Sequence, residues 1–535
     1  MERNKRIVLL LTLFLSVNIF AQDRYWVVFS DKNNSPYSLQ NPEQFLSSKS
    51  LQRRTEQNYP LDSTDLPINP QYLNLIKPYG QILFTSKWFN AACIVTDSLN
   101  AGQIAQIQKV DTVYRIFNAH VTQKKINKFT NITKTLDYGI AAKQIQMLKG
   151  DFLHQLGYLG NKTIAVIDAG FNNTDSIDVF GSLRSENRIL STYNAVLQNT
   201  DVYSFANHGT QVLSIITADI PGQMTGTAPK AKVHLLISED MTGEQIIEEY
   251  YFVRTLEYAD SAGVEVFNTS LGYTTFDDST QNHTYNDLNG KTAINSIACS
   301  LAVQKGMLPV LSAGNSGANP WHFIGTPADA INSITVGAVD ENEFHAPFSS
   351  YGPAADGRIK PEVCALGALA TVANPDNSIG VGSGTSFSAP VICGLTACLW
   401  EAFPEKTNLE IREAIIKSAH LYNNPNDSMG YGIPDFKIAY QLLRNDIATQ
   451  NTSQLLDFSF NNNQLEILLY YNDDNPLVFK IYDLSGKILW EKEITLLQKG
   501  ELYFFNELIN PLSSGVYVFS VNGNKKLSKK FIVVK

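Results

Sequence analysis

The sequence predicts an α/β protein built on a parallel β-sheet with helices on both faces, with a small α+β module before it and a β-sandwich after it. Three observations carry that prediction. Between about 136 and 445, short apolar runs alternate with helical stretches, which is the pattern of a sheet buried on both faces. The region before it mixes strand-like and helical segments, and the region after it is a series of short alternating runs set off by turn residues. At 535 residues the chain is long enough for such a division, since domains run to about 100–200 residues each. Its 44% hydrophobic and 17% charged residues are those of a folded rather than a disordered chain.

Taken in order, Arg3, Lys5 and Arg6 precede an apolar run over residues 7–20, and Ala21 closes it before Gln22. A basic start, a short apolar stretch and a small residue at its end predict a signal peptide over 1–21 rather than a membrane span. Residues 22–135 form the α+β module, with strands at 25–29 and 90–95 and helices at 42–53 and 98–109. In the central region, 136–445, strands are expected at 163–167, 232–237, 264–267, 307–311 and 333–339, with a helix over 243–260. The polar stretch 446–454 reads as a linker. Residues 455–535 predict a β-sandwich with strands at 464–471, 477–482, 515–521 and 530–534, and turns at Ser485-Gly486 and Asn522-Gly523.

Export would place Cys93, Cys299, Cys364, Cys393 and Cys398 in an oxidising compartment. Cys393 and Cys398 lie five apart on one expected helix and point to different sides, so they do not pair with each other. Buried thiols and a disulfide framework both remain open. There is no C-x-x-C or H-E-x-x-H motif to support zinc chemistry. The net charge of -9 argues against a nucleic-acid partner, which would want a basic face.

Three segments carry chemistry: Ile164-Ala-Val-Ile-Asp168-Ala-Gly170, His208-Gly-Thr-Gln-Val-Leu-Ser214, and Gly384-Thr-Ser386-Phe-Ser-Ala-Pro390. Asp168 closes an apolar strand, where a carboxylate needs a partner such as an imidazole. His208 and Ser386 each open a helix rich in small and apolar residues, and Pro390 fits the first turn of a helix starting near Ser386. A serine hydroxyl needs a base, and the base needs a carboxylate to fix its tautomer. Asn315, at the end of the run Ser312-Ala-Gly-Asn315, offers a side-chain amide to a developing oxyanion, with the Ser386 N–H as second donor. The glycine-rich run 380–384 lacks both a preceding Rossmann strand and a phosphate-binding lysine, so it does not read as a nucleotide loop.

These residues resemble the subtilisin-like (subtilase) family of serine peptidases, whose chain order is Asp, His, Ser with an Asn between the last two. The resemblance covers about 160–440, with further agreement at Asn268-Thr-Ser-Leu-Gly272, Gly325-Thr-Pro-Ala328, Phe348-Ser-Ser-Tyr-Gly-Pro353 and Lys360-Pro-Glu362. It implies a secreted endopeptidase in which Asp168, His208, Ser386 and Asn315 are catalytic, while Ser270, Leu271, Gly272, Ser312, Ala313 and Gly314 flank the substrate. No cofactor or metal is implied for catalysis, though members of the family often hold structural calcium. Three positions depart from the usual pattern: Ala169 for Ser or Thr, Phe387-Ser388 for Met-Ala, and Leu366 for proline.

The 22–135 region looks like the propeptide that precedes such domains, cut somewhere between 118 and 136. The last region is similar to the sorting domain of proteins exported by type IX secretion, on Ile481-Tyr-Asp-Leu-Ser-Gly-Lys487, Leu512-Ser-Ser-Gly-Val-Tyr517 and Lys529-Lys530-Phe531. The partners implied are protein or peptide substrates, the chain's own propeptide and the outer-membrane secretion machinery. The rival reading is a catalytically silent adhesin or peptide binder on the same scaffold.

Overall fold

The computed structural model describes residues 23–117, 132–133, 139–444, 453–461, 463–472, 476–495, 497, 501–523 and 526–533. The expected signal peptide, most of the 118–136 segment and most of the linker lie outside them.

The N-terminal module is a four-stranded antiparallel sheet of β1 (Arg24–Phe29), β2 (Gln81–Ser86), β3 (Ala91–Val95) and β4 (Val110–Phe117), in the order β2-β3-β1-β4. Strand periodicity sends alternate residues of β1 to opposite faces. Tyr25, Val27 and Phe29 pack on Tyr72, Ile76, Ala101 and Ile104 of the module's own helices. Trp26, with Phe84, Ala91, Cys93 and Ile116, packs on Ile247, Tyr250 and Tyr251 of the central domain. The helix expected over 42–53 is instead a 3-10 turn, Pro42–Gln44, followed by α1 (Ser48–Glu56), because Ser47 caps α1 by accepting from the Ser50 N–H. The second expected helix stops at Ile104.

The main sheet of the central domain has seven strands: β5 (Thr163–Asp168), β6 (Ile189–Asn194), β7 (Lys232–Ile237), β8 (Val266–Thr269), β9 (Leu308–Ser312), β10 (Ile334–Val339) and β11 (Val363–Leu366). Their order is β11-β10-β9-β8-β5-β7-β6, and every pairing is parallel. Four helices matter here: α2 (His208–Thr217), α3 (Ile247–Ala262), α4 (Ile294–Gln304) and α5 (Thr385–Ala402). Ile164 and Val166 of β5 join the cluster containing Val212, Leu213, Val391 and Leu395 of α2 and α5, while Ala165 and Ile167 join Phe252, Leu256 and Ala298 of α3 and α4. Helices thus cover both faces, as expected. Ile132–Thr133, expected in the propeptide module, pairs with Gly380 and Val381 of the central domain. Because α5 begins at Thr385, Pro390 lies inside the helix rather than in its first turn.

The C-terminal region contains β12 (Gln454–Asn461), β13 (Gln464–Tyr471), β14 (Leu477–Asp483), β15 (Ile488–Ile494), β16 (Glu501–Leu508), β17 (Gly515–Asn522) and β18 (Lys526–Val533). They form two sheets, β12-β13-β16 and β15-β14-β17-β18. Leu465, Ile467 and Leu469 from one sheet meet Phe479, Ile481 and Phe519 from the other, the alternating core of a sandwich. All five cysteines are buried free thiols. No helix among the described residues is long and apolar enough to cross a membrane.

Candidate active site

The site lies where the strand order reverses, at the carboxyl ends of β5 and β8, the position at which open α/β sheets bind ligands. Asp168 ends β5, and period-2 alternation puts it on the same face as Ile164 and Val166, toward α2 and α5. His208 and Ser386 are the first and second residues of those two helices. The sequence therefore brings three distant positions to one sheet edge by strand phase and helix start alone.

His208 Nδ1 donates to Asp168 Oδ1 at 2.8 Å, and both side chains are buried. With Nδ1 donating to the carboxylate, the tautomer is fixed and Nε2 is left without the proton. The close approach needs Gly209. A Cβ there would collide with the Gly170 carbonyl oxygen and lie 2.9 Å from Asp168 Cβ, so any larger residue would push α2 off the strand. Asp168 Oδ1 also accepts from the Ala169 N–H at 2.8 Å. Oδ2 is buried and receives no hydrogen bond among the described residues, in keeping with a methyl side chain where the related family carries a hydroxyl.

Ser386 is 7% exposed. Its Oγ donates to the Ser270 carbonyl oxygen at 3.2 Å, and the Ser270 hydroxyl donates to the Ser386 carbonyl oxygen at 2.8 Å. Phe387 follows Ser386 in α5, its ring centroid 5.8 Å from that of His208. It fills space over Gly382, where an added Cβ would lie 2.5 Å from the ring.

Asn315 is exposed at the cleft, and its amide is aimed by a neighbour the sequence reading did not single out. Thr385 donates to Asn315 Oδ1 from its N–H at 2.9 Å and its hydroxyl at 3.0 Å, and its Oγ1 accepts from the Gly314 N–H at 3.1 Å. With Oδ1 held, the NH₂ is turned the other way. A threonine directly before the serine was the available signal.

Ser270, Leu271 and Gly272 continue from β8, and Ser312, Ala313 and Gly314 from the adjoining β9. Past that pairing the backbones of Leu271 and Gly272 make no hydrogen bond among the described residues. A Cβ at Gly272 would meet only the Thr326 carbonyl oxygen, at 3.8 Å, so this edge borders open space. An extended peptide can add to such an edge through its main chain.

A second polar cluster ties the N-terminal module, through Arg53-Arg54 and the segment Ser86-Lys-Trp88, to α3. Glu257 accepts from the Lys87 and Trp88 N–H groups at 3.1 and 3.0 Å and from the Ser86 hydroxyl at 2.5 Å. Asp260 is fully buried and paired with Arg53 at 2.5 Å, Arg54 at 3.0 Å and Lys87 at 3.3 Å. Burial alone would raise its pKa, but Lys87, Arg54 and Arg53 outweigh that and hold it at about 2. Among the described residues no group of three or more His, Cys, Asp or Glu is placed to hold a metal ion, so the structural calcium implied by the resemblance finds no such cluster here.

Three family models match the chain: the subtilase family over residues 160–432, the Bacteroidota peptidase S8 propeptide domain over 24–133, and a secretion system C-terminal sorting domain over 461–535. The last marks a type IX substrate, carried across the outer membrane to be released or held at the cell surface. Similar characterised proteins include subtilisin NAT of Bacillus subtilis subsp. natto, 26% identical over 64% of this chain and 79% of its own length. Subtilisin DY of Bacillus licheniformis is 29% identical over 56% of this chain and 96% of its own. The thermophilic serine proteinase of Bacillus sp. (strain AK1) is 30% identical over 50% and 59%. A family match that spans half the chain and encloses the whole Asp168, His208 and Ser386 constellation makes this serine endopeptidase a member of the subtilase family.

Proposed function

We propose that the enzyme cleaves peptide bonds through an acyl-enzyme on Ser386, with His208 as general base and then acid, Asp168 as its buried partner, and Asn315 with the Ser386 N–H as oxyanion donors. The observation that supports this reading is the buried His208–Asp168 bond, which engages Nδ1 and leaves Nε2 as the ring nitrogen available to a proton. On substrate binding the Ser386 hydroxyl turns from the Ser270 carbonyl to Nε2, hands over its proton and attacks the scissile carbonyl. The negative charge that forms on the carbonyl oxygen is met by the two donors, which do not have to reorganise as the charge develops. His208 then returns the proton to the leaving amine, and water repeats the sequence to free the acid.

The substrate chain lies between the 270–272 and 312–314 edges, and the open space beside Gly272 admits a large apolar side chain before the cut. Residues 22–135 act as propeptide, 136–445 as peptidase and 455–535 as sorting domain. The propeptide and the secretion machinery are thus partners alongside protein substrates. Digesting a peptide library beside a Ser386→Ala control tests activity and pocket preference together. Cuts after large apolar residues that vanish in the variant support the reading, and cuts that persist in the variant overturn it.

A further inference from the structure

Ser386 is the second residue of α5, and in a regular helix its carbonyl would accept from the N–H of residue 390. Residue 390 is proline and has no N–H to give. A buried carbonyl without a donor is costly, so another partner is expected. The Ser270 hydroxyl is that partner, at 2.8 Å.

The direction of this bond is set from behind. Asn268 Nδ2 donates to Ser270 Oγ at 3.0 Å, and Asn268 is fully buried. With Oγ accepting from the amide, its single proton is left for the Ser386 carbonyl. The relay Asn268–Ser270–Ser386 runs from β8 to the nucleophile's own peptide. Ser270 meets residue 386 a second time through its main-chain carbonyl, which accepts from Ser386 Oγ.

We propose that Ser270 is a positioning residue for hydrolysis and that Pro390 makes room for it. By withholding the helical donor, Pro390 lets the Ser270 hydroxyl set the rotation of residue 386, and with it the directions of the N–H and Oγ that meet the substrate. The 268–272 segment thereby couples the substrate-flanking edge to the reacting serine. This rests on reading Ser386 as the nucleophile.

The test is a double-mutant cycle on the mature enzyme: wild type, Ser270→Ala, Pro390→Ala and the double variant, with peptide hydrolysis rates divided by titrated active sites and thermal unfolding followed for each. Leaving the carbonyl without a donor in Ser270→Ala should lower kcat by about 10- to 100-fold and move KM by less than about threefold. Once Pro390→Ala restores an N–H to position 390, adding Ser270→Ala should cost less than about threefold. An equal cost in both backgrounds, or a defect confined to KM, overturns the proposal. If Ser270→Ala alone does not fold, the remaining comparison is Pro390→Ala against the double variant, which must agree within about threefold. Failure of the wild-type enzyme to react with a fluorophosphonate at Ser386 would remove the nucleophile reading itself, separately from the cycle.

Discussion

Replacing Asp260 with asparagine should loosen the N-terminal module without touching the cleft. Among the described residues Arg53 has one ion-pair partner, Asp260 at 2.5 Å, and it also donates to the Lys305 and Val264 carbonyl oxygens at 3.0 and 2.5 Å, the Ser50 hydroxyl at 3.4 Å and the Asp260 carbonyl oxygen at 3.5 Å. Arg54 keeps Asp65 at 2.6 Å. The substitution therefore leaves the Arg53 guanidinium, 3% exposed, and the Lys87 ammonium, 11% exposed, without their carboxylate in the interface, a loss of about 3–5 kcal/mol for breaking a buried pair from one side. At 1.4 kcal/mol per tenfold, docking weakens by about 10²-fold to several thousand-fold. The assay is inhibition of the mature enzyme by separately added residues 22–135, compared between wild type and Asp260→Asn. Inhibition constants within threefold of each other would refute the reasoning.

The pH dependence follows from the same residues. Asp260, depressed to about 2, contributes stability that is present above its ordinary value of 3.8 and is lost only as pH falls from there toward 2. Glu257 acts in the opposite sense: burial raises its pKa against the pull of Lys87, so its contribution is largest below 4.5 and fades as pH rises through the raised value. Mild acidification to about pH 5 should therefore tighten docking or leave it unchanged, and marked release there would contradict this assignment.

Asn315→Ala should lower kcat with little change in KM, because the oxyanion exists only on the reaction path; the size, about 10²- to 10³-fold, is carried over from subtilisin itself. A defect mainly in KM would give Asn315 another role. Deleting 455–535 should leave peptidase activity intact in the periplasm while extracellular activity disappears, since that region builds its own core and carries the sorting domain. Equal extracellular activity for both forms would point to an adhesive sandwich. Reducing agent should not shift the melting temperature, as all five thiols are free and buried; a lower melting temperature on reduction would reveal a disulfide.

The placement of the candidate residues was legible in the sequence because each sits in a local pattern with one structural meaning: a strand end for Asp168, helix starts for His208 and Ser386. The sandwich was legible through alternation, as in Leu477, Phe479 and Ile481, which turn inward while Val478 and Lys480 do not. What stayed hidden depends on partners far away in the chain. The burial of Arg53 and Arg54 comes from docking against Asp260, 207 and 206 residues away. The run Tyr25-Trp26-Val27-Val28-Phe29 is apolar on both faces, a sign of two-sided packing that names no partner. Helix ends were misplaced where a cap decided them, as at Ser47. Pro390 reads from the sequence as a first-turn proline, but the helix opening at Thr385 puts it inside, where the Ser386 carbonyl loses its helical donor.

Treating the purified mature enzyme with a fluorophosphonate and locating the adduct by peptide mass spectrometry addresses the nucleophile most directly. A stoichiometric adduct on Ser386 is predicted, absent in Ser386→Ala and strongly slowed in His208→Ala, with peptide hydrolysis lost in step. An adduct on another residue, or active enzyme that leaves Ser386 unmodified, would contradict it.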